Sequence, residues 1–191
     1  MTLRVRLKNE TRTNHDRAET NLACLMSPTL SKEQYVRVLQ GMHAFHAWFE
    51  KSLEQLPETL QAREFYLSNR KKLQKVQADL ATLGALPKPN TLDLDLKANQ
   101  ELNAGLWGML YVIEGSTLGG QVIKKNLEAV LGISEESGAS YFSGYGAENG
   151  KMWQSFLKAM DNDVTREKPD VVVAAADQAF GLIDEAFQRT H

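Results

Sequence analysis

The chain of 191 residues holds a single cysteine, Cys24, and five prolines. One thiol excludes an internal disulfide and argues against a cysteine-built zinc centre. Such sparing use of cysteine suits a reducing cytoplasm. No apolar run reaches the roughly eighteen residues that a membrane-spanning helix needs. The opening MTLRVRLKNETR is charged throughout and lacks the apolar centre of a signal peptide. The formal net charge is only −2, so no global basic field draws the chain to nucleic acid. The expectation is a cytoplasmic, monomeric protein of one domain over residues 1–191, with no nucleic-acid or membrane partner.

Strand signals are equally scarce. Leu92, Leu94 and Leu96 alternate, but a lone strand has nothing to pair with, so ALPKPNTLDLDL reads as extended loop. Helical periodicity fills the rest. Leu3, Leu7, Thr11, His15, Ala18 and Leu22 fall on one face of a helix that runs to about Leu25 and stops near Ser27 and Pro28. Ser31 and Gln34 are spaced as a capping box for a helix whose stripe is Tyr35, Val38, Leu39, Met42, Phe45, Phe49 and Leu53. A short helix is predicted over 60–68 and another ending at Gly84. A long one runs from about Asn99 to Leu131 and is stopped by Gly132. Residues 132–150 read as a glycine- and serine-rich loop with room for a helical turn. Helices over 151–160 and after Pro169 complete an all-α class.

The long helix contains YVIEGSTLGGQVI, residues 111–123, with Gly115, Gly119 and Gly120, and Gly105 and Gly108 lie just upstream. Five glycines in a helix interior cost on the order of 5 kcal/mol relative to alanine. Gly108, Val112, Gly115 and Gly119 share a face. Two explanations compete: close packing of a second helix, or a flat, rigid ligand lying on bare, kinkable backbone. Glycine alone leaves both open.

Of the four histidines, His43 and His46 read as packed or surface residues and His191 is terminal. His15 stands out for its neighbours. Lys8, Arg12, His15 and Glu19 follow at steps of four, three and four, and so share a helical flank. A metal-bound imidazole needs its second nitrogen held by an acceptor, which Glu19 supplies one turn on. Lys8 and Arg12 suit the carboxylates of the same ligand. The competing reading is an ordinary amphipathic helix with its charges in water.

Taken together, LKNETRTNHDRAE from Leu7 resembles the proximal-helix signature of haem oxygenases, and YVIEGSTLGGQVI resembles their glycine-rich distal helix. The wording of the second segment is most similar to the bacterial, biliverdin-producing enzymes, including those found with bacteriophytochromes. The resemblance implies a single-domain multihelical bundle with haem between the first helix and the long, kinked glycine helix. It implies oxidative opening of haem b, both cofactor and substrate, to biliverdin, CO and Fe²⁺, with O₂ and an external electron donor. His15 matches the axial iron ligand and Glu19 its hydrogen-bonding partner. Lys8 and Arg12 match basic positions near the propionates. Gly115, Gly119 and Gly120 match the glycines of the distal O₂ pocket.

Ser116 stands where mammalian members carry an aspartate that organises water for proton delivery. A hydroxyl still anchors a water but is no acid at neutral pH. Lys151 or Lys158, which share a face, could reach a propionate. Tyr111 is a candidate donor to a propionate or else a core tyrosine. Trp153, Phe156 and Phe187 read as core or pocket wall. A ferredoxin, flavodoxin or reductase is the expected donor, with Lys71, Lys72, Lys124 and Lys125 as a candidate basic docking patch, and a phytochrome is a candidate acceptor of biliverdin. Two alternatives remain open: a haem carrier or sensor without turnover, and a protein of this fold that no longer binds haem.

Overall fold

A computed structural model describes residues 1–89, 92 and 101–189 of the chain. Among these residues there is no strand, as the periodicity requires. The helices are α1 (Leu3–Glu10), α2 (Arg12–Leu22), α3 (Lys32–Glu54), α4 (Gln61–Asn69), α5 (Leu73–Thr82), α6 (Leu102–Leu131), α7 (Ser140–Ser143), α8 (Asn149–Met160), α9 (Asp163–Glu167) and α10 (Pro169–Arg189). The segment holding Leu94, Leu96 and Asn99, and the terminal His191, lie outside the described residues.

The predicted first helix is two. The Thr11 hydroxyl donates to the Leu7 carbonyl at 2.7 Å, and its backbone leaves helical values at φ −95, ψ 5. A side chain that bonds back to the preceding turn bends or breaks a helix in this way. A 3₁₀ turn, Ala23–Met26, follows α2. The start of α3 is as expected: the Gln34 amide donates to Ser31 Oγ at 3.2 Å and the Ser31 amide to Gln34 Oε1 at 2.8 Å. Gly132 ends α6 at φ 66, a left-handed value that suits glycine. The short α9 has no apolar stripe to announce it; Asn162 and Thr165 cap it reciprocally.

α10 is the central helix, packing against α1, α2, α3 and α6. Small residues make two of these crossings close. A Cβ on Gly41 of α3 would lie 2.8 Å from the Phe187 ring, and one on Gly108 of α6 would lie 2.1 Å from the Val172 carbonyl oxygen. One core, with Phe45, Phe49, Tyr66, Trp107 and Phe156, joins α3, α4, α6, α8 and α10. A second, with Tyr35, Leu80, Leu127 and Phe142, joins α3, α5, the end of α6 and α7. Complete burial of one such aromatic side chain contributes about 1.5–3 kcal/mol.

Candidate functional site

The 3₁₀ turn after α2 is tied to α6: Asn126 Nδ2 donates to the Leu25 carbonyl at 2.7 Å and the Ser27 carbonyl at 3.3 Å. α2 itself is held by α10: Asn14 Nδ2 donates to Asp177 at 2.8 Å, and Asn21 Nδ2 to Asp184 at 2.8 Å.

α2 exposes a residue that its helix face should bury. On the face formed by Leu3, Leu7, Thr11, His15, Ala18 and Leu22, every residue but His15 is buried or half-buried. The side chain of His15 is 47% exposed. One edge of its ring rests on Phe180 of α10, centroids 5.2 Å apart. Its Nε2 lies 3.6 Å from Glu19 Oε1 and its Nδ1 3.6 Å from Asp16 Oδ1. Both are ion-pair distances beyond hydrogen-bond length. Either nitrogen can turn to a metal while the other keeps a carboxylate partner. The three ligand atoms lie within 4.8 Å of one another.

The glycines of α6 divide into two groups. Gly108 and Gly120 are bare because backbone touches them: a Cβ on Gly120 would lie 2.5 Å from the Phe142 carbonyl oxygen of α7. Gly105 makes only ordinary contact, 3.6 Å from the Ala175 methyl. Gly119 has nothing within 4 Å, and Gly115 meets only the Trp153 ring at 3.7 Å. Around them Leu118 and Val122 are exposed, 43% and 57%, large apolar side chains on a face that a soluble helix normally turns inward. Both readings of the glycines therefore apply, at different positions.

The remaining candidates are scattered in environment. Lys8, Arg12, Lys151 and Lys158 are exposed. Arg12 lies 3.8 Å from Asp16, and Lys151 pairs with Glu148 at 2.9 Å, which raises the Lys151 pKa. Tyr111 packs on Trp153, centroids 5.6 Å apart, and burial raises its pKa. Ser116 is exposed and its hydroxyl donates to the Ile113 carbonyl at 2.8 Å, which leaves its lone pairs free to accept. His43 and His46 are buried, which decides between packed and surface positions in favour of packing.

One expectation fails at Lys72. Its ammonium is buried and lies 3.1 Å from Glu114 Oε1, so it belongs to the interior rather than to a basic surface patch. Lys71 and Lys124 are already paired, with Glu54 and Glu135, each at 2.9 Å. Sequence reasoning also missed Asp16 and Phe180 as neighbours of His15. Asp16 gave no signal because adjacent helical residues do not face one another. Phe180 comes from a distant helix.

The "Heme oxygenase" family model matches residues 1–189. A heme oxygenase of Xanthomonas campestris pv. campestris is 34% identical over 98 residues, 51% of this chain and 55% of that protein. The chain thus spans about half the length of that relative. The heme oxygenase of Neisseria meningitidis, solved in NO- and CO-bound forms, superimposes with a TM-score of 0.78 at 25% identity, over 100% of this chain and 92% of that one. The heme oxygenase of Leptospira interrogans does so with a TM-score of 0.75 at 22% identity, over 99% and 100%. With a family match over nearly its whole length, the chain belongs to the haem (heme) oxygenase family.

Proposed function

We propose that this protein binds haem b between α2 and α6 and opens it to biliverdin, CO and Fe²⁺ with O₂ and electrons from an external donor. The observations that carry this reading are an exposed imidazole on an otherwise buried helix face and, on α6, bare backbone at Gly119 that nothing covers. The residues fit the group. A planar macrocycle would cover the apolar Leu118 and Val122 and offer its iron to His15.

Bound haem supplies the redox iron that takes up O₂. The chain does the rest. His15 would hold the iron through one ring nitrogen, and Glu19 or Asp16 would accept the proton of the other, fixing the ring. Lys8 and Arg12 attract the propionates, with Tyr111 as a hydroxyl donor. Lys151 or Lys158 adds a further cation. Gly119, with nothing near it, and Gly115, beside the Trp153 ring, would offer bare backbone to the macrocycle, and Gly120 lets α6 sit close on α7. Ser116, whose hydroxyl keeps lone pairs free to accept, would anchor a water near the bound ligand.

The donor in this proposal is a ferredoxin, a flavodoxin or a reductase, and the setting is the cytoplasm, where a monomeric enzyme hands biliverdin to a phytochrome. The wording of residues 111–123 supports the bacteriophytochrome-associated subtype. A carrier without turnover is the second reading, favoured by Ser116 in place of an acid. Anaerobic reduction of the haem complex followed by O₂ and ascorbate separates the two: biliverdin absorption appears for the enzyme, while the carrier returns to unaltered haem.

A further inference from the structure

Trp153 sits where the open stretch of α6 ends. Its ring edge is 3.7 Å from the Cβ position of Gly115, whereas one turn on Gly119 is clear. The ring is set between Tyr111, at 5.6 Å, and Phe156, stacked at 5.4 Å with planes 22° apart. Aromatic neighbours thus hold it on two sides.

Arg70, at the end of α4, bridges the neighbours of Gly115 and Trp153. Its Nη1 donates to Glu114 Oε2, one residue before Gly115. Its Nη2 donates to Ser155 Oγ at 2.6 Å and to the Met152 carbonyl at 3.2 Å. Met152 and Ser155 flank Trp153 on α8. One rigid fork thus grips the α6 turn that carries the bare glycine and the α8 turn that carries its cover. The grip is itself held. The Arg70 side chain is 3% exposed and that of Glu114 is 1%. The Phe65 ring lies 4.3 Å from the guanidinium, and Tyr145 OH donates to Glu114 Oε1 at 2.8 Å.

We propose that Trp153 is the end stop of the open stretch, the residue that limits how far a macrocycle edge can move along α6, and that Arg70 is the positioning residue that sets the stop. This rests on the reading of haem between α2 and α6. It assigns the in-plane seating of the ligand, and with it the choice of meso carbon, to a wall on α8 in addition to the propionate contacts.

The test compares parent, Trp153→Phe, Trp153→Ala, Ser155→Ala and the neighbouring surface change Gln154→Ala. Each is loaded with hemin and cyanide and examined by proton NMR of the haem methyl groups, with product isomers separated after turnover and thermal midpoints recorded. Ser155→Ala removes one of Arg70's two bonds to α8 while leaving the Met152 carbonyl and the Glu114 pairing in place, so it decides the matter even where Trp153→Ala fails to fold. The expected result is a second seating of up to about one part in ten in Ser155→Ala and both Trp153 variants, absent from the parent, with a matching second biliverdin isomer. The Gln154→Ala control stays like the parent. Lowered midpoints with one unchanged seating make Trp153 and Arg70 merely structural and overturn the proposal. A parent that forms no haem complex overturns the functional reading instead, and this inference with it.

Discussion

Gly108 and Gly119 lie on one side of α6 and are bare for opposite reasons. A Cβ on Gly108 would be 2.1 Å from the Val172 carbonyl oxygen, whereas one on Gly119 would meet nothing within 4 Å. Gly108→Ala must push α10 away and should cost about 1–3 kcal/mol or more. Gly119→Ala should stabilise the haem-free protein by up to about 1 kcal/mol while weakening the haem complex or its O₂ adduct. Thermal melts of both variants, with and without hemin, check the pair. Equal destabilisation would mean that Gly119 is also a packing glycine.

Glu114 is the hub of a buried ionic cluster. Its carboxylate takes Arg70, Lys72 and the Tyr145 hydroxyl, while Glu50 Oε1 accepts from the Lys72 amide at 2.7 Å and Tyr66 OH at 3.0 Å. Removing one partner strands a buried charge, so Glu114→Ala should lose about 3–5 kcal/mol in denaturant unfolding. A loss under about 1 kcal/mol, the range of exposed pairs, would contradict the cluster's burial.

His46 gives the acid limb of stability. Its ring is fully buried, with Nε2 3.0 Å from the Tyr141 hydroxyl. Burial, aided by the charges of Lys72 and His43, lowers its pKa from 6.5 to about 3. The unfolded chain therefore takes up a proton between these values that the folded chain refuses. Stability conferred by neutral His46 is complete above 6.5 and is lost as pH falls toward 3, approaching 1.4 kcal/mol per pH unit. From pH 7 to pH 5 the loss from this residue is roughly 2 kcal/mol. Urea midpoints across that range should slope less in His46→Gln than in the parent; parallel slopes would remove His46 as the cause.

Much of the fold can be read along the chain because it is set by local rules. Apolar spacing gave the long helices, and Ser31 with Gln34 and Gly132 gave two of their ends. The break at Thr11 depends on one hydroxyl choosing the Leu7 carbonyl over solvent, which spacing does not reveal. The site was half legible. The face of His15 and the bare stripe of α6 are periodic features, visible in the sequence. What covers each glycine is a tertiary fact, so Gly108 and Gly120 could not be told apart from Gly119. Lys72 was misread because a Lys-Lys doublet has the same pattern on a surface as at a corner folded over Glu114.

The central claim is that a planar, iron-bearing ligand bonds to His15 and lies against the uncovered backbone at Gly119. Spectrophotometric titration of hemin into the parent and into His15→Ala, each with and without added imidazole, tests it most directly. The account predicts one equivalent bound by the parent with a sharp Soret band, a broadened and shifted band in His15→Ala, and recovery of the parent spectrum when imidazole fills the vacated position. Identical spectra for parent and variant, or no Soret change in the parent, would contradict it.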